Sequence, residues 1–315
     1  MNYKFRCLVT APPILPKIFN YKDKFDENSV EIVVPPYRVI ESLNENQLLK
    51  LLYGIDGILC GDDSLNKRVL SQAKELKVIS KWGTGIDSID KKFAISQGIK
   101  VLRVKDIFSE PVSDTVLAYI LLFARRIIEK HYLVKNNKWG KVESYTLKES
   151  SLGIIGVGHI GKLVARKVSA LGMNVFGYDI NGIPEDFIRE TGIKSVDLET
   201  VLRKSDYITL HCDLNESTMN MIGKTELKLM KKNSVIINTS RGEIINQKDL
   251  EKALSGNIIF GAALDVFEVE PLPSSSVLTK MNNVLLSPHN SNASPMIFNR
   301  VDEASINNLI SGLNE

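Results

Sequence analysis

The chain has 315 residues, 43% of them hydrophobic and 24% charged, a composition typical of a globular protein and a length that exceeds what one core usually serves, so two domains are expected. With 40 basic against 37 acidic side chains and no Lys/Arg block, nothing marks a surface for nucleic acid, and no such partner is expected. Cys7, Cys60 and Cys212 lie far apart without CxxC spacing or histidine-rich neighbours, which argues against disulfides and metal sites and fits a reducing compartment.

The first six residues carry Lys4 and Arg6, and no signal-peptide core is evident. The longest apolar run, residues 116–124, stops at Arg125-Arg126 and has about half the length a bilayer span needs. A cytoplasmic protein without a membrane partner is therefore expected. Short β runs at 5–9, 30–34, 57–60, 77–80 and 100–104 are separated by helical patterns such as 44–53 and 65–76. Alternating β and α implies a parallel sheet covered on both faces. Ser109-Glu110-Pro111 is a helix-start signal, and the apolar helix after it is expected to reach about residue 130. A helix this apolar is expected to be buried, either between domains or in a subunit contact.

Residues 151–179 organise the rest. An apolar run of strand length (152–156) leads into Gly156-Val157-Gly158-His159-Ile160-Gly161. Apolar residues at helical spacing follow (Ile160, Leu163, Val164, Val168, Leu171), and a second strand ends on Asp179. Strand, glycine turn, helix and terminal acid in this register fit a dinucleotide: Gly156 for the tight turn, Gly158 for backbone approach to a pyrophosphate, Gly161 for helix–strand packing, and Asp179 for the ribose hydroxyls. The helix start adds unpaired N–H groups for phosphate. Asp179 would repel a 2′-phosphate, and Ile180-Asn181 offers no arginine, so NAD is favoured over NADP.

Further strands are expected at 206–212, 234–239, 259–264 and 283–287, with helices at 224–232 and 247–254 between them. The six strands from 152 to 287 suit a doubly wound dinucleotide domain. The amphipathic tail, 293–313, is too short to be a domain and is expected to return to the first one. The fold class is thus α/β, with two doubly wound parallel-sheet domains. A Rossmann-type domain over 105–289 is inserted in a flavodoxin-like domain formed by 1–104 and 290–315.

Three side chains fall at strand C-terminal ends, where open α/β sheets place their ligands. Arg241 follows one strand in TSRG, and its forked guanidinium suits a carboxylate and a carbonyl; taken alone, it also fits a solvated arginine before a turn glycine. His289 directly follows the strand ending SP. Glu270, in LDVFEVEP, lies just beyond another strand end, where a carboxylate orients a histidine and stabilises its charged form.

Together with KWGTGIDSID (81–90), GVGHIG, the block from Met230 to Leu254, GAALDVFEVEP (261–271) and SPH (287–289), these residues make the chain resemble the D-isomer-specific 2-hydroxyacid dehydrogenases over nearly its whole length. The similarity is to D-3-phosphoglycerate dehydrogenase-like members without a C-terminal regulatory domain. It implies reversible hydride transfer between NAD and a small D-2-hydroxy acid or its 2-oxo acid, with Arg241, Glu270 and His289 as the catalytic set. It also implies that Asp265 contacts the nicotinamide amide, that Cys212, Thr239, Ser240 and Arg241 line the cofactor with His289, and that Gly83, Thr84 and Gly85 hold the substrate carboxylate. A homodimer through the 109–130 helix and the arm around Trp139 is implied as well. Lys81, just before the Gly83 loop, suggests a second anionic group on the substrate, as in phosphoglycerate, whereas Trp82 would narrow the pocket toward glyoxylate. A corepressor-like protein that uses NAD to assemble partners is the alternative of the same fold.

The chain departs from the family pattern at His211-Cys212-Asp213-Leu214-Asn215, where His-x-Pro-Leu-Thr is usual. It also departs at Phe108, often asparagine, and at Ser113-Asp114, usually Ala-Glu.

Overall fold

The computed structural model describes residues 3–314. The chain folds as two compact units, one running to Ile107 and resuming at Ser294, the other spanning Phe108–Ala293. The breaks fall three or four residues later than the 104/105 and 289/290 positions expected. They lie where Phe108 becomes the N-cap of a helix and where Pro295 opens the tail helix.

The first unit is built on β1 (Phe5–Val9), β2 (Val30–Val33), β3 (Gly57–Cys60), β4 (Val78–Lys81) and β5 (Lys100–Arg103), all parallel in the order β2-β1-β3-β4-β5. This is the flavodoxin-like order. β3 and β4 are buried along their whole length, the signature of parallel strands covered on both faces. The helical pattern at 65–76 yields only Lys67–Leu70, capped by Asn66, whose side chain accepts from Val69 N at 3.1 Å.

The second unit carries β6 (Ser151–Ile155), β7 (Asn174–Tyr178), β8 (Lys194–Ser195), β9 (Tyr207–Leu210), β10 (Val235–Asn238), β11 (Gly261–Leu264) and β12 (Val284–Leu286), in the order β12-β11-β10-β9-β6-β7-β8. Counted from β6 this is 3-2-1-4-5-6 with one strand added, the dinucleotide-binding order. Alternate residues of one strand enter different cores. Val235 and Ile237 pack with Val116, Ile120 and Val164, while Ile236 packs with Leu227, Leu250 and Leu278. The seventh strand, β8, escaped the sequence reading because it is two exposed residues at the sheet edge.

The apolar helix behaves differently from expectation. It ends at Ala124, and Arg126 takes a left-handed conformation (φ 51°) before a second helix, Ile127–Lys135, begins. Val112, Val116, Tyr119, Ile120 and Ala124 of this crossing helix (Ser109–Ala124) are buried, most of them in the core of their own unit, so its apolar character needs no partner chain. The atypical Ser113-Asp114 pair has a local role. Lys167 Nζ donates to Ser113 Oγ (2.7 Å), Asp114 Oδ1 (2.6 Å) and Glu110 Oε2 (3.1 Å), pinning the crossing helix to the helix after the glycine turn.

The tail helix, Pro295–Asn314, lies on the first unit's sheet. It buries Ile297, Val301, Ile306 and Leu309, each contributing about 2 kcal/mol of transfer free energy when fully covered. Close approach depends on Gly312, where a Cβ would stand 2.5 Å from Val78 Cγ2. The wholly buried Asp302 carboxylate accepts from Trp82 Nε1 (2.7 Å) and Tyr21 Oη (3.2 Å) and pairs with Lys17. Asp302→Ala removes the carboxylate that accepts from the buried Trp82 indole and is expected to cost about 1–3 kcal/mol. Urea unfolding checks this, and an unchanged midpoint would show that the carboxylate ties nothing down.

Candidate active site

β6 ends in the glycine turn. Gly156 has φ +91°, and a Cβ there would stand 2.6 Å from Cys212 N, so both its conformation and its neighbours require glycine. At Gly161 a Cβ would stand 2.2 Å from Gly156 O, which is how the helix His159–Ala170 comes hard against the strand end. Gly158 is different: its backbone is extended (φ −78°, ψ −153°) and a side chain would meet nothing within 4 Å. Nothing among the described residues requires glycine at that position, whereas a phosphate group seated on the helix start does. His159 and Ile160 form the first turn of that helix. At the end of β7, Asp179 accepts from Val157 N (2.8 Å) and Asn181 N (2.9 Å), one bond per oxygen. This leaves lone pairs for a ribose diol.

At the end of β10, Thr239 Oγ1 is buried and has no hydrogen-bond partner, an orphan that a bound group would satisfy. Beside it, Ser240 Oγ donates to Cys212 O at 2.5 Å, tying this strand end to that of β9. The glycine turn, Asp179 and Thr239 therefore fit a dinucleotide.

Glu270 and His289 meet. His289 Nδ1 donates to Glu270 Oε2 at 2.7 Å, while Glu270 Oε1 accepts from Phe267 N at 2.9 Å. This fixes the tautomer that presents Nε2 as the remaining ring nitrogen. His289 itself has φ 49°, a left-handed conformation that costs a non-glycine residue about 1–3 kcal/mol unless its surroundings enforce it. They do so through Asp265. Its carbonyl accepts from His289 N (2.8 Å), and its carboxylate, fully buried, accepts from Asn290 N (2.8 Å) and Ser291 N (2.9 Å). Thr115 on the crossing helix adds a bond to Ser291 O at 3.2 Å. Asp265, which the resemblance assigns to the nicotinamide amide, is thus the clamp of the histidine turn.

Arg241 follows β10, with Nη1 donating to Ser240 O (2.8 Å) and its own carbonyl accepting from Asn238 Nδ2 (2.8 Å). The next residue, Gly242, lies so close to Phe267 that a Cβ would stand 1.9 Å from that carbonyl carbon. The arginine turn therefore packs on the segment that leads to Glu270.

In the first unit, Gly83 follows β4 with φ +137°, and Arg103 Nη1 donates to Thr84 O at 2.9 Å. Lys81 is not the open cation that a second substrate anion would need. It is buried, and its ammonium donates to Gly61 O and Asp62 Oδ1, both at 2.6 Å. Trp82 is turned inward against Phe298 and Asp302, with ring centroids 5.2 Å apart in the aromatic pair.

Residues 117–291 match the model of the D-isomer specific 2-hydroxyacid dehydrogenase NAD binding domain. The chain belongs to this family. It is 38% identical over 255 residues to a glyoxylate reductase of Korarchaeum cryptofilum, covering 79% of this chain and 76% of the relative. It is 32% identical to a glycerate dehydrogenase of Methylorubrum extorquens, over 86% and 88% of the two chains. Among solved structures, D-lactate dehydrogenase from Aquifex aeolicus, complexed with NAD and lactic acid, superposes with a TM-score of 0.83 at 27% identity, covering 96% and 93% of the two chains.

As a 2-hydroxyacid dehydrogenase the chain is an NAD-dependent oxidoreductase that interconverts 2-hydroxy and 2-oxo acids. Its departures from the family pattern are locally satisfied. The atypical 211–215 stretch is folded by Asn215, which accepts from Ser217 N (2.9 Å), and by Thr218, whose hydroxyl donates to Asp213 O (2.6 Å). Phe108 is buried at the start of the crossing helix.

His211 is hydrogen-bonded to Thr209 Oγ1 through Nε2 (3.0 Å), and desolvation pushes its pKa down to about 3. Above about pH 6.5, the ordinary value, both folded and unfolded chains hold it neutral. Between there and pH 3 only the unfolded chain takes up the proton, so stability falls as pH falls. His211→Gln is expected to flatten the decline of the urea midpoint between about pH 6 and pH 4. Parallel declines in variant and wild type would refute that origin.

Proposed function

We propose that this dehydrogenase acts on small D-2-hydroxy and 2-oxo acids of about glyoxylate to hydroxypyruvate size, through His289, Glu270 and Arg241. The observation that carries the reading is the 2.7 Å bond from His289 Nδ1 to Glu270. Bound NAD supplies the hydride acceptor, and NADH the donor in the reverse direction. In oxidation His289 Nε2 takes the hydroxyl proton, and Glu270 stabilises the imidazolium that results. In reduction the proton returns to the carbonyl oxygen. Arg241 holds the carboxylate and stabilises negative charge on that oxygen, while the Gly83-Thr84-Gly85 backbone binds the carboxylate with N–H groups. Asp265 acts by keeping His289 in place. The glycine turn, Asp179 and the Thr239 hydroxyl hold the cofactor, with Cys212 and Ser240 beside it.

His289→Ala is expected to lower kcat for glyoxylate or hydroxypyruvate reduction by roughly 10²–10⁴, and Arg241→Ala to impair both KM and kcat. NADH oxidation measured at 340 nm reads both, and wild-type kcat in His289→Ala would remove the mechanism.

We also propose a cytoplasmic homodimer. In support, no described helix is long and apolar enough to cross a membrane. The second helix and the arm after it expose Ile127, Tyr132, Val134 and Trp139, the last 92% accessible, a concentration of apolar surface typical of an interface. Light scattering at micromolar concentration is expected to give twice the chain mass, and Tyr132→Glu with Trp139→Ala to lower it; a wild-type monomer would contradict the proposal.

A further inference from the structure

The C-terminal ends of β3 and β4 lie side by side, with Cys60 paired to Lys81. Lys81 runs beneath the Gly83 loop, its Cε 3.7 Å from where a Cβ on Gly83 would stand. Its ammonium is held at 2.6 Å by both Gly61 O and Asp62 Oδ1. The lysine side chain is 3% exposed and that of Asp62 54%, so the pair turns its carboxylate, not its ammonium, outward. A second carboxylate, Asp63, is buried next along the same loop and held by Thr10 Oγ1 (2.5 Å), Leu43 N (2.6 Å) and Gly61 N (3.1 Å). Arg103 donates to Thr84 O of the Gly83 loop.

We propose that Asp62, by covering Lys81, is a specificity-determining residue that makes the enzyme reject 2-oxo acids carrying a second anionic group and accept monoanionic ones. This rests on the reading of the chain as a reductase that binds its substrate's carboxylate at the Gly83 loop. The far end of a dianionic substrate meets the carboxylate end of the Lys81–Asp62 pair, at the strand ends where open α/β sheets gather their ligands, and like charges repel. A monoanion of the same length is spared.

Two four-carbon substrates separate charge from size: 2-oxobutyrate, a monoanion, and oxaloacetate, a dianion. With NADH, the wild type is expected to show a kcat/KM at least about tenfold higher for 2-oxobutyrate, a ratio that narrows as salt screens the repulsion. Asp62→Asn is expected to narrow the ratio about tenfold at low salt, chiefly through KM for oxaloacetate, and Asp62→Ala, with melting checked for both, to do likewise. A ratio within twofold of wild type in a folded variant, a wild type that prefers oxaloacetate, or a wild-type ratio insensitive to salt would each overturn the assignment while leaving the reductase reading intact. A wild type that binds NADH but reduces neither these acids nor glyoxylate and hydroxypyruvate would instead remove the reductase reading, and the assignment with it.

Discussion

The proposed chemistry depends on one buried carboxylate. Asp265 directly follows β11 with no exposed surface, and a carboxylate is stable there only if hydrogen-bond donors satisfy it. The two that do belong to Asn290 and Ser291, while the Asp265 carbonyl takes the N–H of His289. Three bonds thus hold the chain in a left-handed turn that it would otherwise leave. They direct the imidazole at Glu270, itself pinned by Phe267 N. Reach from strand end to strand end matters more here than any single side chain, because β10, β11 and β12 run in register and their C-terminal ends arrive together.

A division of labour runs through the second unit. On the β6 and β7 side the protein contributes mainly absences: open space above Gly158 and lone pairs on Asp179. On the β10 to β12 side it contributes side chains held by hydrogen bonds. The first arrangement receives a large polar ligand at little reorganisation cost, and the second orients the groups that move a proton.

Much of this was legible in the residues. Alternating β and α runs gave two parallel sheets, and the glycine spacing with Asp179 gave the dinucleotide turn, because those features are local in sequence. Strand limits shifted by a residue or two, and the helix expected to reach about 130 broke at Arg126, since a left-handed arginine leaves no composition signal. The role of Asp265 was hidden because its partners lie 25 and 26 residues on. Lys81 read as an open cation because the carboxylate that covers it comes from the neighbouring strand's loop, 19 residues earlier. Pairing of this kind is decided by register, which periodicity does not reveal.

The arrangement of the first unit also bears on how the molecule is made. Its sheet is covered by a helix that leaves the ribosome only after the whole of Phe108–Ala293 has been synthesised. Until then the faces of β3 and β4 that later receive this helix lack its cover, and the Trp82 indole lacks its Asp302 acceptor. The second unit, by contrast, is continuous and waits for no segment distant in sequence. Folding is therefore expected to complete the inserted unit before the unit whose two segments flank it.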